Sequence, residues 1–369
     1  MNCSHKTQAR GIYAFTYNPF EIAICGPSPI NRSALAARAT ALLAENYKTA
    51  QVMRRESSGN EDDKFPLGVN LVTGDGQQGL LYPSEMDEYL SPRPLLDVDV
   101  VLIESEADTS LPKLVWVESG ETPEYTNVIA FTHASASHPI LSSDAIAVPD
   151  NQPQRLRTIL DDHFRGQVES IPLYGLVLAG GHSTRMESDK GLLDYRGVPQ
   201  VQYCHDLLAG YCDAVFISLR AEQGDIKEYQ RFHQIPDAFL GFGPLGGILS
   251  AQKAHPNAAW LVTACDLPYV SGRTVEQLIE QRNPFKLATA FVSVHDGFPE
   301  PLFAIYEPKS VFRLSSFLTV GYHCPRKVLI NSDTWLLTPE DPRALENVNV
   351  PQEREVALKA LAGESVPTR

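Results

Sequence analysis

The sequence predicts an α/β protein built as two three-layer domains in tandem, each around a mainly parallel sheet. Two observations carry that expectation. Short apolar runs rich in β-branched residues alternate with longer helical stretches, the pattern of strands joined by crossover helices. The alternation stops at a polar connector and then starts afresh, and 369 residues suffice for two domains or three.

In the first half, Phe20 to Cys25 ("FEIAIC") reads as a short buried strand, and "RSALAARATALLAENY" after it has helical composition and spacing. "RRESSGNEDDKF" is polar and reads as a loop. "VDVVLIE" (Val98 to Glu104), "KLVWVE" (Lys113 to Glu118), "NVIAF" and "AIAV" are further strands, and "PQRLRTILDDHF" closes the half as a helix. Domain one is expected over residues 1–165, with 166–172 as linker. The second half, 173–369, opens on the strand "LYGLVLAG" (Leu173 to Gly180). Helix "PQVQYCHDLLAGY", strand "AVFISL", helix "GGILSAQKAH", strand "AWLVTA" (Ala259 to Ala264), helix "TVEQLIEQR" and strand "LATAFVSV" follow.

Bulk properties exclude several classes. The net charge is −14, which leaves no electrostatic footprint for a nucleic-acid polymer, so an anionic ligand needs a local positive site. Six cysteines fall in no C-x-x-C pair, so neither a zinc site nor a disulfide framework is suggested. The N-terminus lacks the apolar core of a signal peptide, and no run reaches the ~20 apolar residues of a membrane helix. A cytoplasmic protein without a membrane partner is expected. His133 and His138 lack a suitably spaced third ligand and read as loop residues.

Leu178 to Lys190 ("LAGGHSTRMESDK") is where chemistry first shows. Ligands of open parallel sheets bind beyond the carboxyl ends of strands. Gly180 and Gly181 let the backbone approach a ligand there, and loop N–H groups can face phosphate oxygens. Arg185 and Lys190 add compensating charge. A plain strand–turn with surface cations would look the same in isolation. Two further strand ends carry aspartates, however: Asp237 in "IPDAFLGFGPLGGI" and Asp266 in "VTACDLPY". A carboxylate facing a phosphate cradle suits Mg²⁺, which bridges carboxylate and phosphate oxygens. Phe239 and Phe242 read as packing for the loop after Asp237, with a guanine-stacking role left open.

These motifs, with "PEPLFAIYEP" and "NVNVPQE", resemble the signature of the molybdenum cofactor guanylyltransferases over nearly all of residues 173–357. The paired glycines match the guanylyl rather than the cytidylyl branch. The resemblance implies a Rossmann-like nucleotidyltransferase (GT-A-like) fold and transfer of GMP from GTP to molybdopterin with release of pyrophosphate. It further implies Leu178, Ala179, Gly180, Gly181, Lys190, Asp237 and Asp266 at the nucleotide, and Asp266 as ligand of a Mg²⁺ cofactor. Arg185 and Lys190 would stabilise the leaving pyrophosphate; Glu300, Pro301, Asn347 and Asn349 would lie on the pterin side. GTP and molybdopterin are then the partners, with molybdoenzymes or cofactor-insertion proteins as recipients. Two departures stand out: Glu187 replaces the usual glycine, and Ser218 stands where some members carry asparagine. A sugar- or polyol-phosphate or cytidylyl-type nucleotidyltransferase, and a catalytically decayed cofactor-binding adaptor, are the competing readings.

"GPSPINRS" (Gly26 to Ser33) aligns with the P-loop pattern G-x-x-x-x-G-K-[ST], between a strand and a helix. Asn31 and Arg32 replace the second glycine and the lysine, and Pro27 and Pro29 lack the N–H groups such a cradle is built from. This half resembles the P-loop adaptor of molybdopterin guanine dinucleotide synthesis, which would set Glu104 at its Mg²⁺ position; a strand-terminal turn residue is the equal alternative for Glu104. It is expected to be a degenerate P-loop domain that has lost nucleotide binding.

Overall fold

The computed structural model describes residues 20–54, 67–73, 76–82, 97–105, 109–120, 124–135, 145–180 and 189–363. The chain divides into two compact units, Met1–Glu169 and Ser170–Arg369.

The first unit holds an eight-stranded sheet in the order β4-β3-β2-β5-β1-β6-β7-β8. Its strands are β1 (Glu21–Cys25), β2 (Thr49–Arg54), β3 (Leu67–Thr73), β4 (Gly76–Tyr82), β5 (Val100–Glu104), β6 (Lys113–Trp116), β7 (Val128–His133) and β8 (Ala147–Pro149). All neighbours from β2 to β8 pair in parallel, whereas β2, β3 and β4 pair antiparallel at one edge. Helix α1 (Pro29–Leu43) starts earlier than its sequence suggests, because Ser28 caps it and Pro29 opens it. It buries Leu35, Ala39 and Leu43, one residue per turn. Helix α2 (Pro153–Ser170) buries Leu156, Leu160 and Phe164 at the same spacing. It runs on through residues 166–170, so most of the stretch expected as a linker is helical, and the division between the two units falls within that stretch. The stretch "RRESSGNEDDKF" lies outside the described residues except for Arg54, which ends β2.

The second unit holds a seven-stranded sheet in the order β11-β10-β9-β12-β14-β13-β15. Its strands are β9 (Leu173–Leu178), β10 (Ala214–Leu219), β11 (His233–Pro236), β12 (Ala259–Ala264), β13 (Ala288–Val292), β14 (Pro299–Tyr306) and β15 (Thr334–Leu337). The helices are α3 (Gln200–Ala209), α4 (Gly243–Ala254), α5 (Gly272–Glu280), α6 (Ser310–Thr319), α7 (Pro325–Ile330) and α8 (Pro351–Leu361). Strand β14 runs antiparallel between β12 and β13; the other neighbours are parallel. Odd and even residues of the central strands feed two cores. Val177, Ile217, Leu261 and Phe303 pack on one face, and Leu176, Trp260, Val262, Ala304 and Ile248 of α4 on the other.

Register positions the site. Leu178 pairs with Ser218 on one side and with Ala264 on the other, so three parallel strands end level. Ser218 also pairs with Ile235, which brings Asp237 just beyond the same line. Thr263 pairs with Phe303, which sets Leu302 beside Ala264. No described helix is long and apolar enough to cross a membrane.

Candidate functional site: a cavity at the carboxyl ends of the second sheet

A cavity of about 500 Å³ opens where β9, β10 and β12 end. Leu178, Ala179, Gly180, Lys190, Asp237 and Asp266 line it. Gly181, Arg185 and Glu187 lie outside the described residues.

Lys190 starts a short 3₁₀ turn, Lys190–Leu192, capped by Asp189. Its Nζ reaches Asp266 Oδ2 at 3.2 Å and Asn349 Oδ1 at 2.7 Å. Asp266 follows β12, and its main-chain oxygen accepts from Val348 N at 2.8 Å, which anchors the "NVN" segment beside it. Glu353, in the first turn of α8, accepts from Asn349 N and Val350 N. The other oxygen, Asp266 Oδ1, is buried with no hydrogen-bond partner among the described residues. A buried acceptor left without a donor is costly. An anionic, hard oxygen in that condition fits a divalent cation shared with substrate phosphates. No cluster of three or more His, Cys, Asp or Glu side chains is present among the described residues to cage a metal by itself. Mg²⁺ commonly binds through one or two carboxylates plus phosphate.

Across the cavity, Ser218 Oγ donates to Asp237 Oδ1 at 3.0 Å. Burial pushes the Asp237 carboxyl above the ordinary range; the Ser218 hydrogen bond and the Arg220 charge pull the other way. Helix α4 comes in close: a Cβ on Gly247 would stand 2.6 Å from Ser218 Oγ, and one on Gly246 would overlap the Phe239 carbonyl oxygen. Phe239 packs against the core beneath α4, while Phe242 stands edge-on to His323 with centroids 4.7 Å apart. Arg220 Nε donates to Gly180 O at 2.8 Å. Ser218, Arg220, Glu222, Leu240, Pro244 and Gly247 also line the cavity, and sequence reasoning assigned none of them. Leu240, Pro244 and Gly247 lie in the "IPDAFLGFGPLGGI" motif, whereas Ser218 and Arg220 end "VFISLR", whose level with Leu178 only the register reveals.

The residues expected on the pterin side separate. Asn347 and Asn349 are both exposed, and Asn349 accepts from Lys190. Glu300 and Pro301 start β14 and do not line the cavity; Leu302 does. Glu300 is 3% exposed and accepts from Leu302 N and from Arg326, each at 3.0 Å. Burial raises its pKa, against the Leu302 amide and the Arg326 guanidinium, and the nearby Asp266 charge adds to the rise.

In the first unit, Gly26 adopts φ +147°, and a Cβ there would lie 2.8 Å from Trp116 O. Arg32 is buried and turns back on its own loop, donating to Gly26 O at 2.7 Å and Pro27 O at 3.4 Å. Ser33 Oγ donates to Glu104 Oε2 at 2.7 Å, and Gln51 Nε2 to Glu104 Oε1 at 2.8 Å. Lys113 is fully buried with Nζ bonded to Thr109 O, Leu111 O and Thr126 O. His133 Nδ1 lies 2.9 Å from Ala134 O, and His138 is outside the described residues.

Residues 175–334 match the MobA-like NTP transferase domain. With a cavity lined by Lys190, Asp237 and Asp266 at the carboxyl ends of a mostly parallel sheet, that match marks the second unit as a nucleotidyltransferase domain. The chain is 39% identical over 189 residues to the molybdenum cofactor biosynthesis bifunctional protein of Synechocystis, covering 51% of this chain and 54% of that protein. It is 31% identical over 184 residues to a molybdenum cofactor guanylyltransferase of Pseudomonas putida, covering 48% of this chain and 93% of the relative. The chain belongs to the molybdenum cofactor guanylyltransferase family. Its match spans about half the length of the bifunctional relative. Among solved structures, molybdopterin-guanine dinucleotide biosynthesis protein A of Archaeoglobus fulgidus is similar with TM-score 0.45 and 22% identity, covering 52% of this chain and 99% of that one.

Proposed function

We propose that the second unit transfers GMP from GTP to the terminal phosphate of molybdopterin, releasing pyrophosphate and forming the guanine dinucleotide. One observation carries the reading: a single cavity gathers a strand-end glycine, a lysine and two aspartates, one of which keeps a buried oxygen without a partner among the described residues.

An oxygen of the acceptor phosphate attacks the α-phosphorus of GTP, and the bond to the β-phosphate oxygen breaks. That attacking oxygen is already ionised at neutral pH, so no general base is required. The protein's part is alignment and charge stabilisation. The backbone at Ala179 and Gly180 admits the phosphates closely, and Lys190 supplies a mobile point charge to them. Arg185 takes the departing pyrophosphate with Lys190. Asp237 orders the nucleoside end, with Gly181 completing the loop. Glu300, Pro301, Asn347 and Asn349 serve the pterin side, Asn349 next to Lys190. Asp266 would hold Mg²⁺, whose bound charge offsets that of the phosphates.

Residues 1–165 act as a docking scaffold for a recipient protein, a molybdoenzyme or a cofactor-insertion protein, their own phosphate-binding capacity lost. The reaction is placed in the cytoplasm. Pyrophosphate release measured with GTP, CTP and ATP, each with and without molybdopterin and Mg²⁺, tests the assignment. Release is expected only when GTP, molybdopterin and Mg²⁺ are together. Release driven by a sugar phosphate without molybdopterin would overturn it, as would silence with every nucleotide from a folded chain.

A further inference from the structure

Gln223 belongs to no motif of the sequence, yet it joins two ends of the nucleotide site. It closes a 3₁₀ turn, Ala221–Gln223, just after β10, and is 5% exposed. Three groups face its amide. Arg220 N–H donates to Oε1 at 3.3 Å. Nε2 donates to Asp189 Oδ2 at 2.7 Å and to Ala179 O at 3.4 Å. One neighbour is a donor and two are acceptors, so the position demands a neutral side chain of this length with both functions, which is glutamine.

The contacts continue to Lys190. Asp189 spends its second oxygen on Gly191 N at 2.9 Å, capping the turn that Lys190 opens. Gly191 has no room for a side chain, since a Cβ would come within 2.5 Å of Tyr229 Oη. On the strand side, Arg220 bonds Gly180 O as well as presenting its N–H to Gln223. An unbroken run of hydrogen bonds thus links the glycine end of β9, through Gln223 and Asp189, to the turn that presents Lys190.

We infer that Gln223 is a positioning residue that fixes the separation between the glycine backbone and Lys190, and so pre-forms the binding site for a nucleoside triphosphate. The inference rests on the nucleotide reading above. Gln223 touches no reacting atom; it acts through Asp189 and the main chain at Ala179.

The test is a donor–acceptor swap in the full-length chain. Gln223→Glu removes the donor and sets a carboxylate against Asp189. The double variant Gln223→Glu/Asp189→Asn restores one donor–acceptor pair with its direction reversed, and keeps the net charge of the pair. Two readouts are taken: amide exchange at residues 189–192 without ligand, and GTP affinity with Mg²⁺ by calorimetry. Losing a charge-assisted hydrogen bond should weaken GTP binding about thirtyfold. The single variant should also exchange faster at 189–192, and the swap should recover both to within about threefold of the parent. If Glu at position 223 prevents folding, Gln223→Met replaces it, keeping length and losing only the polar contacts. Unchanged exchange in the folded single variant, or a swap as impaired as the single change, would overturn the tie. Parent protein that binds no nucleoside triphosphate, while exchange responds as described, would instead overturn the nucleotide reading and with it the role of the tie in substrate binding.

Discussion

Asp266 has two unlike oxygens. One meets Lys190 and the other has no partner among the described residues, so the residue is half engaged. Replacing it by asparagine keeps size and removes charge, while Lys190 retains its bond to Asn349. Asp266→Asn should leave the fold intact and lower turnover about a thousandfold at saturating GTP, read by pyrophosphate release across a Mg²⁺ titration. Near-parental turnover would move the metal site elsewhere. Asp237 is perturbed differently, because burial raises its folded pKa above the unfolded one. The folded chain then holds more protons than the unfolded chain, so stability falls as pH rises through that window, and the cost is complete above the raised value. Asp237→Asn removes the cost and leaves Ser218 an oxygen to donate to. Its Tm should exceed the parent's at neutral pH, with the gap closing as the pH falls below about 4, the ordinary carboxylate range. A gap constant with pH would contradict burial as the cause.

At the scale of elements, the site depends on how closely α4 meets the sheet. Gly246 sits where a methyl group would overlap the Phe239 carbonyl, a backbone atom that cannot rotate away. Gly246→Ala should cost about 2 kcal/mol in urea unfolding and shift the loop that carries Asp237. Parental stability would show that α4 can retreat from the sheet. The hairpin leading into β14 hangs on Arg326, which bridges Asp296 and the buried Glu300. Arg326→Ala leaves that carboxylate without its cation and should cost about 2 kcal/mol by the same measurement. The sequence disclosed the strands whose carboxyl ends carry Gly180 and Asp266, because buried parallel strands are continuous apolar runs closed by turn residues. Strand β14 was legible only as a motif: two prolines and a glutamate at its start hide a strand that inserts antiparallel. Strand β11 is four residues long with only Ile235 buried, too short for periodicity to mark. Ser218 and Gln223 escaped for another reason. Their significance lies in hydrogen bonds to residues 19 and 34 positions away, which pairing register creates and local pattern does not encode.

Over the whole molecule, one question is how many nucleotide sites a chain with two α/β units contains. The first unit keeps the outline of a phosphate-binding loop, with Gly26 in a glycine-only conformation after β1 and Ser28 capping α1. Its polar groups are turned on each other. Arg32 donates to the loop's own carbonyl oxygens, and Ser33 and Gln51 both bond Glu104. A triphosphate entering there would have to displace these bonds, with two prolines unable to offer N–H groups in return. The second unit presents the opposite condition, a cavity with a buried acceptor unmatched among the described residues. The net charge of −14 gives the chain no general attraction for a polyphosphate, so affinity has to come from local groups such as Lys190 and Arg220. Calorimetry of the full chain with GTP and Mg²⁺ should therefore give about one equivalent bound. Lys190→Ala should weaken that binding about tenfold or more, whereas Arg32→Ala should leave affinity and stoichiometry unchanged. A second equivalent in the parent would place a working phosphate site in the first unit after all, and parental affinity in the Lys190 variant would refute the role given to Lys190.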